Sequence, residues 1–116
     1  MRTKKPKPPL ERDVSKAIVE YFAVKYGIEL FRRNTATFFM GGRMVKCGEK
    51  GQADRWGIIA PQGVAIEIEV KQEGKTPTLE QIAWLASCRK KGAIAFWANS
   101  IEDAETKFLE QWEERQ

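Results

Sequence analysis

The chain contains no histidine in 116 residues. That removes an imidazole general base, a histidine-ligated metal and a Ser-His triad together, so catalysis would have to use carboxylates, lysine and water activated by a cation. No apolar run approaches the roughly 20 residues that a membrane-spanning helix requires, so no membrane partner is expected. There are only two cysteines, Cys47 and Cys88, and their spacing is not that of metal ligands. The basic N-terminus runs into prolines and charges rather than an apolar stretch, so no secretory signal is expected. Both thiols are accordingly expected to be reduced, in a cytoplasmic protein.

The residues that are present describe one ordinary globular domain, 42% hydrophobic and 31% charged. A net charge of +4 and a pI near 9.2 suit a polyanionic partner. Residues 1–9 form a Lys/Pro-rich arm, either a solubilising tail or a phosphate contact, and residues 10–116 form the single domain. From Leu10 the apolar spacing becomes helical, with Val14, Ala17, Ile18, Tyr21 and Phe22 on one stripe and Gly27 just past its end. Residues 28–32 read as a short strand. Gly41-Gly42 between two alternating runs, 37–40 and 43–46, signals a hairpin. The following loop, with Gly48, Gly51, Lys46 and Lys50, is either a plain connection or a close approach to a phosphate backbone.

Further on, Thr78 and Gln81 fit a capping box, opening a helix with Ile82, Leu85 and Ala86 as its apolar stripe and Gly92 at its end. Residues 93–98 are almost wholly apolar, which suits a strand buried on both faces. Ser100 caps a last helix reaching about Glu114, with Ala104, Phe108, Leu109 and Trp112 inward. The order of elements predicts an α/β domain, a mixed central β-sheet flanked by helices.

The stretch with chemistry in it lies between. Two apolar runs, 56–60 and 64–70, flank Pro61-Gln62-Gly63 and read as a β-hairpin. In the second run Ile66, Ile68 and Val70 point one way, and Glu67, Glu69 and Lys71 the other. Those charges are either a solvated ladder on an outer strand or, with Asp54, the makings of a site for a divalent cation and an activated water. Register decides whether Asp54 joins. A three-residue turn pairs Ala60 with Val64 and leaves Asp54 opposite Val70, on the wrong face. A bulge at Gly57, or a four-residue turn that takes in Val64, brings Asp54 opposite Glu69. Both routes are open.

The ordered set Gly51-x-x-Asp54, a hairpin, Glu69-x-Lys71 and a later Gln81 resembles the PD-(D/E)xK nuclease superfamily, and more narrowly the virus-type replication-repair nuclease (VRR-NUC) family. Fourteen residues separate Asp54 from Glu69, as one hairpin requires. Arg33-Asn34-Thr35 upstream and Gly92 after the glutamine-bearing helix extend the likeness over roughly Leu10 to Ser100. Ala53 stands where the family usually has proline. The resemblance implies a restriction-endonuclease-like core with Mg²⁺ or Mn²⁺ on Asp54, Glu69 and the main-chain carbonyl of Val70. It gives Lys71 the attacking water and the phosphate charge, and it places Gln81 near the site. Glu11 becomes the helix acid brought to the metal, with Glu20 as the alternative. Glu67 is left as a supporting acid, an added ligand or an ion-pair partner of Lys71.

The implied activity is a metal-dependent endodeoxyribonuclease on branched DNA such as Holliday junctions, in a bacterial or phage-infected cell. A nucleic-acid-binding module without strong catalysis and a plain interaction domain are the alternatives. Arg32, Arg33, Arg43, Lys46, Lys50 and Lys75 are candidates for phosphate contacts, with Arg89, Lys90 and Lys91 behind them. Phe38, Phe39, Met40 and Met44 crowd one hairpin and suggest a homodimer interface, or else simple packing on the sheet.

Overall fold

The computed structural model describes residues 6–33, 37–46 and 49–115, with backbone alone at 37–39, 45 and 46. In chain order the elements are α1 (Glu11–Tyr26), β1 (Phe31–Arg32), β2 (Thr37–Met40), β3 (Arg43–Lys46), β4 (Arg55–Ile59), β5 (Val64–Val70), α2 (Leu79–Lys90), β6 (Ile94–Ala98) and α3 (Ile101–Glu114). Strands β1, β4, β5 and β6 lie side by side in that order, antiparallel except for the parallel β5–β6 pair. A parallel neighbour needs a crossover, and α2 supplies it. The sheet is therefore the mixed one expected. Strands β2 and β3 form a separate ribbon turning at Gly41-Gly42. The expectations for Asn34, Thr35, Cys47, Gly48, residues 1–5 of the basic arm and the side chains of Phe38, Phe39 and Lys46 lie outside the described residues.

The period of two along β5 divides the molecule. Ile66, Ile68 and Val70 are fully buried among Val14, Ile18 and Phe22 of α1 and Ala104 and Phe108 of α3. The other face carries a smaller core of Ala53, Leu85 and Ala95, with Trp84, Cys88 and Trp97 against it, beneath α2. Strand β5 is internal to the sheet, so Glu67 and Glu69 are buried and the solvated-ladder reading fails.

Several expectations shift. The predicted 28–32 strand pairs only over Phe31–Arg32, while Ile28 and Leu30 drop into the core. On α2, Ile82 and Ala86 are exposed, and the inward line is Gln81, Trp84, Leu85 and Cys88. The stripe was misplaced because part of this helix's inward face is polar. Leu109 of α3 also faces out. Its inward neighbour Gln111 instead completes the free edge of β6, accepting from Ala95 N at 2.8 Å and donating to Ala95 O at 2.9 Å. Lys107 does likewise for the Trp97 carbonyl. Side chains of α3 thus close a strand edge that would otherwise invite pairing.

Helices α1 and α3 are also tied by polar contacts. Glu105 accepts from Lys25 at 2.7 Å and Tyr21 at 2.8 Å, and from Tyr26. Hydrogen bonds from Lys25 first, then Tyr26 and Tyr21, hold its carboxyl down from 4.5 to about 2. A carboxylate with a depressed folded pKa stabilises fully above its unfolded value and loses that contribution as pH falls through the folded one. Denaturation from pH 7 to pH 2 should therefore show a stability loss starting near pH 4.5, and Glu105→Gln should lower stability at pH 7 while flattening that acid limb. An acid limb unchanged in Glu105→Gln would assign it elsewhere.

Candidate active site

Strand β4 meets β5 with Ile59 opposite Val64, Gly57 opposite Ile66 and Arg55 opposite Ile68. The turn is therefore four residues, 60–63, taking in Ala60 rather than Val64, and the ladder contains no bulge. Carried one step further, this register sets Asp54 against Glu69. The Val70 amide donates to Asp54 Oδ2 at 3.3 Å, and Arg33 N to Asp54 O at 2.8 Å, so both the side chain and the backbone of the aspartate are held.

Two glycines make this possible for reasons other than a bulge. A Cβ on Gly57 would lie 2.5 Å from the Glu29 carbonyl oxygen, where the chain entering β1 crosses β4. A Cβ on Gly51 would lie 2.6 Å from the Glu80 carbonyl oxygen, and its φ of +88° is itself unsuited to a side chain. The loop thus presses against the start of α2 and delivers Ala53 into the small core, with Asp54 beside it. Ala53 is 1% exposed under α2.

Glu69 is 2% exposed. Gln81 Nε2 donates to Glu69 Oε1 at 2.8 Å, while Gln81 Oε1 accepts from Thr78 N at 2.9 Å. One amide therefore completes the capping box and also holds the glutamate, which places Gln81 against Glu69. Glu69 Oε2 has no hydrogen-bond donor among the described residues. Burial first, then the adjacent Asp54, push the Glu69 carboxyl up to about 8, with a smaller push from Glu11 and an opposing pull from Lys71. Asp54, Glu69, Lys71, Gln81 and Glu11 are thus brought into one electrostatic neighbourhood.

Glu67 has a different place. Arg33 binds it with both terminal nitrogens, Nη1 to Oε1 at 2.8 Å and Nη2 to Oε2 at 3.1 Å, and Trp84 Nε1 donates to Oε1 at 3.0 Å. Arg33 also donates to the Ala53 carbonyl and stacks over the Trp84 ring. Glu67 is therefore paired with Arg33 rather than with Lys71, and the Arg33 guanidinium is engaged by a buried carboxylate. The pair fastens β5, the Asp54 loop and α2 to one another.

The other basic candidates divide. Lys50 reaches Glu80 at 3.3 Å on the surface. Arg43 and Lys75 are exposed, and Arg89 donates to the Ala95 carbonyl. Arg32 lines a cavity of about 280 Å³ together with Asp54, Glu11 and two arginines not singled out before, Arg12 and Arg55. Helical phase and strand pairing carried the signal for those two, but neither is part of a motif. A larger cavity, about 560 Å³ at the turn end of β4 and β5, includes none of Asp54, Glu69, Lys71 or Gln81. A polymer backbone needs an open surface rather than a deep cavity, so its size does not mark it as the site.

Hard oxygen donors suit Mg²⁺ and Mn²⁺. Two abutting carboxylates, one with a buried oxygen lacking a donor, fit a cation's needs. No group of three His, Cys, Asp or Glu side chains among the described residues could hold a metal. Glu11 therefore lines the cavity beside Asp54 without completing a three-carboxylate set.

No family model matches the chain, and no curated protein matches it in sequence. Among solved structures, a chain described as "VRR_NUC domain" is 28% identical with a TM-score of 0.57, and the likeness covers 86% of this chain and 94% of that one.

Breaking a buried ion pair by removing one partner costs about 3–5 kcal/mol. Arg33→Ala should destabilise the fold by that order, because Glu67 keeps its burial and loses its counter-charge. Urea denaturation measures it, and the double variant Arg33→Leu/Glu67→Leu should recover most of the loss. A wild-type denaturation midpoint in Arg33→Ala would return this residue to the surface contacts.

Proposed function

The chain belongs to the VRR-NUC family, with its restriction-endonuclease-like fold and nuclease activity, and from that premise we propose that it is a metal-dependent endonuclease hydrolysing DNA phosphodiester bonds. The observation that carries the reading is Glu69. It is buried, oriented by Gln81 through one oxygen, without a donor at the other, and set beside Asp54. Two carboxylates in that position call for a positive charge.

Asp54, Glu69 and the main-chain carbonyl of Val70 would hold Mg²⁺ or Mn²⁺, which when bound supplies the charge that polarises the scissile phosphate and acidifies water. The chain's own residues do the rest. The Val70 amide and Gln81 fix the two carboxylates, so neither must reorganise when substrate arrives. Lys71 leaves β5 at its end, its amide bonded to the Ala98 carbonyl, and its ammonium acts on Glu69. There it orients the attacking water and offsets charge gathering on the phosphate. Glu11 adds a negative wall at the first turn of α1.

Branched DNA as the preferred substrate and a homodimer as the working form complete the proposal. Productive cutting of a four-way junction takes two opposed incisions, and a two-fold pair supplies two symmetric sites. The β2–β3 ribbon offers apolar material for that contact: Met40 is 60% exposed and Met44 68% exposed.

Cleavage should require Mg²⁺ or Mn²⁺, with Ca²⁺ supporting binding but little cutting because its looser coordination places water and phosphate poorly. Asp54→Asn, Glu69→Gln and Lys71→Ala should each lower kcat at least about a hundredfold with fold and DNA binding kept. Full activity in excess EDTA, or in any of the three variants, would sink the mechanism.

Sedimentation should give twice the 13.3 kDa chain mass, and a cruciform should be nicked in pairs placed symmetrically about its branch point. A monomer cutting linear duplex as readily as a junction would remove this part of the proposal and leave the chemistry standing.

A further inference from the structure

Arg32 of β1 and Arg55 of β4 are direct partners in the antiparallel ladder, so both side chains leave the sheet on one face. Like charges set opposite one another weaken strand pairing, and neither of these two arginines has an ion-pair partner among the described residues. Arg55 spends its Nε on Ser15 Oγ of α1 at 3.0 Å, and its two terminal nitrogens have no hydrogen-bond partner among the described residues. Arg12 sits three residues before Ser15, on the same side of α1, and also lacks a carboxylate partner there. All three line the cavity of about 280 Å³ whose acidic walls are Asp54 and Glu11. The fourth arginine at its rim, Arg33, is committed to Glu67.

Three guanidinium groups from three elements, none of them in an ion pair among the described residues although Glu11 and Asp54 stand in the same wall, match the planar fork that binds a phosphate. Strand alternation also puts this cavity on the far side of β4 from Glu69, with Asp54 touching both regions. A backbone crossing the end of β4 would thus meet Asp54 with one phosphate and the arginines with its neighbour.

We propose that Arg12, Arg32 and Arg55 form a phosphate subsite that seats the internal DNA backbone phosphate next to the scissile one and so sets the register of the strand over Asp54 and Glu69. The proposal rests on the DNA-cleaving function above and adds to it a positioning site separate from the hydrolytic centre.

Binding measured by fluorescence anisotropy in EDTA, where nothing is cut, tests it. Arg12→Ala, Arg32→Ala and Arg55→Ala should each weaken DNA binding about tenfold and reduce the dependence on log salt by about one, and Arg55→Lys should recover part of the loss. In Mg²⁺ the variants should raise KM more than they lower kcat. A methylphosphonate replacing the phosphate beside the scissile one should weaken the wild type comparably yet add little to any of the three variants.

Arg32→Ala should melt no lower than wild type, since it relieves a repulsion; a purely structural role would lower it. Arg12 lies exposed in the first turn of α1, so its variant stands even if Arg55→Ala, which loses the Ser15 contact, fails to fold. Unchanged binding in the variants, or methylphosphonate and arginine losses that simply add, would overturn the subsite. Dependence confined to a terminal phosphate would overturn the internal placement. A wild type that cuts DNA normally while the variants bind normally removes only this subsite, whereas a wild type that neither binds nor cuts removes the nuclease function itself.

Discussion

Two carboxylates forced together where water is scarce set the terms for the rest of the structure. With Ile59 opposite Val64, the β4–β5 register leaves Asp54 no position except against Glu69. Neither acid can move away, because the Val70 amide holds one and Gln81 the other. The rise of Glu69 to about 8 expresses that conflict as a proton equilibrium. A cation is the other way to resolve it, and it leaves both carboxylates ionised and in place. Lys71 alone does not suffice, since its pull on Glu69 is smaller than the push from burial and from Asp54.

A site under such strain needs stability from elsewhere, and the two faces of β5 divide that labour. The face toward α1 and α3 is continuous hydrocarbon, closed by the aromatic contacts of Phe22, Tyr26 and Phe108. Among the described residues, the buried apolar cluster on the face toward α2 is just Ala53, Leu85 and Ala95, and the buried Glu67 and Glu69 take much of the remaining space. The role of α2 is correspondingly unusual. It brings Gln81 to Glu69 and Trp84 to Glu67, while Leu79 and Ile82 face outward. An amphipathic helix chosen for burial alone would have turned its apolar residues in.

That inversion explains where the sequence was legible. Elements governed by local rules were readable: the Thr78–Gln81 capping box, the Ser100 cap, Gly27 ending α1, and the alternation of β5. The meeting of Asp54 and Glu69 was readable because their spacing spans one hairpin. Register was not, since a turn of 60–63 and a bulge at Gly57 satisfy the same parity and differ only in which backbone comes near. The decisive contact at Gly57 comes from Glu29, nearly thirty residues away in sequence. Glu67 was open for the same reason: its partner Arg33 approaches from β1, which carries no pairing signal of its own. The outward stripe of α2 and the inward Gln111 of α3 misled for a further reason. Hydrophobic periodicity assumes that an inward face is apolar, and here inward positions are spent on polar contacts.

Neighbouring residues of a strand point to opposite faces, and at the start of β4 that simple rule has a chemical consequence. Asp54 is turned toward Glu69 and α2, while Arg55, next in the chain, is turned toward Ser15 and α1. Deep in a sheet such a pair would be insulated from each other by the sheet itself. At the strand's end there is no such barrier, and the cavity that Arg55 lines also has Asp54 in its wall. Negative charge for a cation and positive charge for an anion are therefore one residue apart along the chain and open on the same lip. A phosphodiester polymer is a ligand that can use both, since its repeating phosphates can satisfy arginines with one unit while the next lies over the carboxylates. The repulsion of Arg32 against Arg55 and that of Asp54 against Glu69 then become the two halves of one arrangement, each relieved by an opposite charge arriving from outside the chain.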